Sequence, residues 1–216
     1  MKVFLESGDK KVFAGAIDWP GLARSGKTEE AALQALVAYA PRYAANLGSV
    51  AAELKPPAKG ESMEVVARLR GGSGTDFGVP SVVADFDRQA LSDAQLVQLI
   101  ERLRGAWTAF ERAAAGADGK TLASGPRGGG RSLQKIREHV IEADRAYIGA
   151  LGARAPHARE GWAAVQDAFI EALHAKVRGE LPERGPRGGE RWPARYAIRR
   201  SAWHALDHAW EIEDRL

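Results

Sequence analysis

Apolar residues recur at alternating steps of four and three along Leu96, Ile100, Leu103, Trp107 and Phe110. That spacing lays one stripe along a helix and predicts a bundle helix starting near Ser92. Leu133, Ile136, Val140, Ala143, Tyr147 and Leu151 mark a second helix, and Trp162, Val165, Phe169, Leu173 and Val177 a third. Pro193 suits the first turn of a fourth, which runs to Arg215. An amphipathic helix must bury its stripe against another element. With no strand signal between them, these four close most economically into an all-α four-helix bundle over residues 87–216.

The first 86 residues have a different texture. Lys2–Glu6 and Lys11–Asp18 read as two short strands around the turn Ser7-Gly-Asp-Lys10. Thr28 is placed to cap a helix that begins Glu29-Glu30 and extends toward Leu47. Pro41 inside that stretch predicts an end or a kink near Tyr39-Ala40. Met63–Leu69 is a third strand candidate, Gly71-Gly-Ser-Gly74 breaks the pattern, and Val79–Phe86 is expected to be extended. Residues 1–86 therefore read as a small α+β domain.

Composition removes some chemistries. There is no cysteine among 216 residues, which excludes disulfides, thiolate-ligated zinc and a cysteine nucleophile. The net charge of +3 is too small to argue for nucleic acid. No segment approaches 18 apolar residues, and the first residues lack a signal-peptide run, so a cytoplasmic location without a membrane partner is expected.

Three histidines stand out. His204 and His208 lie four apart in Ser201-Ala-Trp-His-Ala-Leu-Asp-His-Ala-Trp-Glu211, and His139 lies in Arg137-Glu-His-Val-Ile-Glu-Ala-Asp144. On a helix the pair presents two imidazoles on one face, about one turn apart. A third imidazole from a neighbouring helix would complete a three-nitrogen metal site with a vacant position for water or substrate. Such pairs are also common on ordinary surface helices. His204 and His208 share their face with Arg200, Glu211 and Arg215, which suits a solvated face or equally the wall of a water-filled cleft. Asp207 and Glu211 could accept the free ring N–H of a ligating histidine. Glu142, one turn beyond His139, could do the same or orient a metal-bound water as a base. His157 and His174 are expected to be exposed and uninvolved.

Two loops nearly share a sequence, Gly125-Pro-Arg-Gly-Gly-Gly-Arg131 and Gly185-Pro-Arg-Gly-Gly-Glu-Arg191, and each precedes a histidine-bearing helix. In an up-down-up-down bundle both helices would start at one end, with His139 roughly 12 Å and His204 roughly 15 Å deep. At such a shared mouth the loops could clamp a carboxylate or phosphate, although flexible basic connectors usually only connect.

One histidine midway along the second bundle helix, with His204-x-x-x-His208 in the last, resembles the DinB-like (DinB/YfiT) superfamily of metal-binding four-helix bundles over about residues 87–216. The resemblance implies a divalent metal, zinc or nickel among the candidates, held by His139, His204 and His208 with water completing the shell. Several relatives are thiol-dependent enzymes that use mycothiol, bacillithiol or glutathione in S-transfer or isomerisation, which implies Arg200 and the Arg-Gly loops as grips for an anionic thiol cofactor. Ala16-Ile-Asp-Trp-Pro-Gly-Leu-Ala-Arg-Ser-Gly-Lys-Thr-Glu-Glu-Ala-Ala-Leu33 is similar to the segment of HicB-like ββαβ domains that joins the second strand to the first helix. Some such domains bind a toxin or DNA.

The expected function is a metal-dependent transferase or hydrolase acting on a small molecule. The alternative is a non-enzymatic binding or regulatory module that uses the first domain for protein or nucleic-acid recognition. With no Arg/Lys-rich recognition helix in residues 28–47, no specific DNA binding is expected. The first domain is expected to pack on the bundle or to mediate a homodimer, since its strands leave edges that need a cover.

Overall fold

The computed structural model describes residues 1–55, 63–125 and 130–216. It is a mixed α+β fold: a four-stranded sheet near the N-terminus followed by a helical region. Strands β1 (Lys2–Ser7) and β2 (Val12–Ala16) form the expected antiparallel hairpin. Helix α1 (Glu29–Leu47) then crosses over to β4 (Glu64–Arg70), which pairs parallel with β1. An additional strand, β3 (Ala23–Gly26), pairs with β2 and gives the order β3-β2-β1-β4. Its sequence, Ala-Arg-Ser-Gly, carries no apolar alternation, so only its pairing with β2 reveals it.

Thr28 caps α1, its Oγ1 accepting from the Ala31 N–H at 3.2 Å. The helix does not end at Pro41, and α1 continues to Leu47. Proline in a helix interior removes one hydrogen bond and costs about 3 kcal/mol. Burial of Ala40, Tyr43 and Leu47 on either side offsets that cost, and the Tyr43 hydroxyl donates to the Pro20 carbonyl. The Val79–Ala84 stretch joins no strand; after the short helix α2 (Ser73–Phe77) it leads into a 3-10 turn at Asp85–Arg88. The buried Glu6 carboxylate takes the place of a partner strand, accepting from the Ser81 and Val82 N–H groups and the Thr75 hydroxyl.

The four long helices are α3 (Asp93–Gly116), α4 (Leu133–Leu151), α5 (Gly161–Val177) and α6 (Ala194–Asp214). Ser92 and Gln95 form a capping box at the start of α3. The directions of the helices differ from the up-down-up-down arrangement. Arg137 near the start of α4 reaches Ala114 and Asp118 at the end of α3, so these two are antiparallel. Phe110 packs on Trp162 and Trp107 on Phe169, so α5 also opposes α3. The Trp192 N–H reaches the Ala150 carbonyl at the end of α4, while Arg215 reaches Arg131 just before its start. Helices α4 and α6 are thus antiparallel, and the order is up-down-down-up.

Helix α6 is the centre of the molecule. One side packs on the bundle, and the other receives the N-terminal unit. Gly21 (φ 93°) turns against it so closely that a Cβ would stand 2.7 Å from Leu206 Cδ1 and 3.1 Å from the Ala202 carbonyl. Arg199, stacked near Phe4 and Phe86, forms a buried two-bond ion pair with Asp87 at 2.7 and 2.9 Å. Arg24 binds Asp207, Arg42 binds Glu213 and Asp214, and Trp210 donates to Asn46. One contiguous apolar core draws on both halves of the chain, from Val3 and Leu36 to Leu103 and Ile212.

Candidate metal centre

Covering α6 on both sides removes water from the face that carries the histidines. Arg200, His204, His208 and Arg215 are each only 7–8% exposed, so this face is not solvated. The wheel of α6 alone looked polar because its partners here, His139 and Tyr147 on α4, lie far away in sequence.

His139, His204 and His208 meet. The Nε2 atoms of His139 and His204 are 3.1 Å apart, and one ligand atom from each of the three rings lies within 4.8 Å of the others. The rings stand at 71–88° to one another with centroids 4.6–5.1 Å apart. Two nitrogens bound to one zinc-like ion at ~2.1 Å can be at most about 4.2 Å apart. The 3.1 Å pair already satisfies that limit, and the 4.8 Å bound on the three atoms stands about 0.6 Å above it.

The meeting does not arise from equal depths measured from the helix starts. His139 lies six residues after Leu133, and His208 six residues before Asp214. Because α4 and α6 are antiparallel, these positions fall at the same level, about 9 Å inside one end of the bundle.

Burial and neighbouring charge favour the neutral forms of His139 and His204. Burial, then the neighbouring His208, pushes the His204 imidazole well below its ordinary value. Burial likewise lowers His139, assisted by His208 and Arg131. His208 Nδ1 is 2.7 Å from Glu211, which leaves its Nε2 as the nitrogen available to an ion. The His208 hydrogen bond holds the Glu211 carboxyl below its usual range, and Arg215 binds the other carboxylate oxygen at 2.7 Å. Arg215 is itself fixed by the carbonyls of Ala123 and Arg131.

The other candidate residues fall differently. Asp207 is committed to Arg24 rather than to a histidine. Both oxygens of Glu142 are held by Arg145 at 2.8 Å, so the carboxylate that touches the cluster is Glu211. Arg200 lies one turn from His204 and donates to the Tyr147 hydroxyl at 3.1 Å. His157 is exposed, His174 is half-buried, and neither joins the group. The described ends of the two Arg-Gly loops lie apart. Arg191 sits at the end of α4, bound to the Gly149 carbonyl, whereas Arg131 sits before its start, beside Arg215. Residues 126–129 of the first loop lie outside the described residues.

Next to the cluster is a polar network that the sequence did not announce. Asp144 is buried between helices, accepting from the Ser201 hydroxyl at 2.6 Å and from Trp162 at 3.4 Å, while Trp107 donates to Ser201. Burial pushes the Asp144 carboxyl up to about 7. Trp107 and Trp162 belong to the apolar stripes of α3 and α5, and their indole N–H groups are what make a buried serine–aspartate pair satisfiable.

Comparison of the chain with protein-family models, curated proteins and solved structures finds no match.

Proposed function

We propose that this chain is a divalent-metal protein whose centre is His139, His204 and His208, and that it acts as an enzyme on a small molecule. The observation that carries the reading is the convergence of three imidazoles from two antiparallel helices, two of them 3.1 Å apart. Uncompensated, such a cluster is a poor use of a buried interface, because neutral imidazoles bring lone pairs together. A cation resolves it. Three imidazoles without a thiolate suit zinc or nickel, and three protein ligands leave a position for chemistry. An ion held there would lower the pKa of a coordinated water or thiol, supplying a nucleophile at neutral pH.

The chain's own residues supply orientation and a dry wall. Glu211 fixes the tautomer of His208, Arg215 fixes Glu211, and Tyr147 with Arg200 borders His204. The DinB-like resemblance refines the proposal to a thiol-dependent transfer or isomerisation. The HicB-like unit is read as a cover for α6 rather than as a nucleic-acid module. Arg24 and Arg42, which a DNA surface would need free, are held by Asp207, Glu213 and Asp214.

The test is metal content. Protein purified without a histidine tag is expected to carry about one divalent ion per chain by mass spectrometry. Metal-free protein that gains no thermal stability from zinc, nickel or manganese would sink the reading.

A further inference from the structure

Helix α6 carries Arg195, Arg199 and Arg200, and Arg215 follows its last turn. Arg199 has Asp87, Arg215 has Glu211, and Arg195 is half-buried. Arg200 is 7% exposed, yet among the described residues no carboxylate pairs with it. Its guanidinium lies between two rings, 5.6 Å from the centre of Tyr147 and 5.0 Å from that of Trp203. One nitrogen, Nη2, donates to the Tyr147 hydroxyl, while Nη1 is buried with no acceptor. In the same turn of α6, Trp203 Nε1 and His204 Nδ1 are also buried without partners. If His204 uses Nε2 toward His139, its Nδ1 carries the hydrogen, so all three unmet atoms are donors. The Tyr147 oxygen accepts from Arg200, and its own hydrogen remains to be given.

A buried cation without a counter-ion, next to unmet N–H groups, is costly, and buried polar groups are normally satisfied. A water could take one of these bonds but would leave the charge uncompensated. An acceptor-only, negatively charged group answers both needs, and a planar carboxylate fits the arginine fork.

We propose that the Arg200–Tyr147 turn is a carboxylate-binding subsite, so that the ligand of the histidine centre is a small carboxylic acid carrying a metal-binding donor at its other end. Arg200 and His204 are one helical turn apart, with Cβ atoms about 5–6 Å from each other. The two ends of the ligand are therefore separated by only a few bonds. The donor end of this proposal rests on the metal reading; the carboxylate end rests on Arg200 alone.

The experiment compares 3-mercaptopropionate with 3-mercaptopropionamide on the full-length, zinc-loaded protein by calorimetry. Both offer the same thiol to the metal, and only the first carries a carboxylate. The acid is expected to bind at least about tenfold more tightly than the amide. Arg200→Gln is expected to erase that preference, with acid and amide compared on variant protein whose zinc content has been confirmed at one ion per chain. Should Arg200→Gln fail to fold, Tyr147→Phe removes a single donor and is expected to shrink the preference. Equal binding of acid and amide by zinc-loaded wild type would overturn the subsite and leave the metal centre standing. If zinc does not bind at all, the metal reading fails instead, and propionate against propionamide on the metal-free protein decides the subsite. Propionate alone should then raise the Tm, and only when Arg200 is present; no such shift overturns the proposal.

Discussion

His208 and Glu211, one turn apart on α6, are joined at 2.7 Å through the ring's Nδ1, which leaves Nε2 as the nitrogen available to an ion. The bond selects which nitrogen His208 offers to an ion. Glu211→Gln keeps the shape and weakens that selection. It is expected to lower zinc affinity by roughly 10–100-fold, as losses of partners to metal-ligating histidines do. Competition with a chromogenic chelator measures the change, and unchanged affinity would remove Glu211 from the centre.

His139→Ala is expected to abolish metal binding as fully as His208→Ala does, because each supplies one of three bonds. His157→Ala and His174→Ala should leave the metal content of the purified protein intact. Retained metal in the His139 variant would mean that α4 does not contribute a ligand.

Asp144 sets a pH dependence. Its folded-state value, about 7, lies above the ordinary 3.8 because the carboxyl is buried. The folded protein therefore holds this proton through a range in which the unfolded chain has lost it. Its contribution to stability is present in full below about pH 3.8 and declines as pH rises to about 7, by up to ~1.4 kcal/mol per pH unit. Asp144→Asn cannot ionise, so the metal-free variant should gain on wild type from pH 4 to pH 7 in urea unfolding. Parallel profiles would show that the carboxyl is charged in the fold.

The Arg199–Asp87 pair holds the N-terminal unit to α6 in a buried setting. Asp87→Ala strands the guanidinium and is expected to cost about 3–5 kcal/mol. Adding Arg199→Met should restore much of the loss. If the double variant is no more stable than Asp87→Ala, the cost comes from lost hydrogen bonds, at the Ala84 N–H that Asp87 binds and the Val82 carbonyl that Arg199 binds, rather than from the charge.

How much of this was legible depends on range. The helices α3 to α6 were readable because the 4-3 stripes from Leu96 to Phe110 and from Leu133 to Leu151 record burial directly. So was the Thr28 cap, which is local chemistry. The direction of α5 was not, because the reversal is carried by long-range contacts such as Phe110 with Trp162. The three histidines were identifiable as donors by type and spacing. Their level in the bundle was reached by an argument that assumed the wrong sense for α4 against α6. The Asp144–Ser201 pair gave no signal at all: an aspartate and a serine on polar-looking helices become a buried pair only when Trp107 and Trp162 close over them.

An ion shared by His139 and His204 would also act mechanically, as a removable cross-link between points 65 residues apart in the chain. Closing a loop of that length restricts the unfolded chain by about 4 kcal/mol in the simple entropy picture. The whole of α5 lies inside the loop, although it supplies no ligand. A chelator would thus release slack into a helix that the metal never touches, and amide exchange along Gly161–Val177 would quicken with the rest of the bundle.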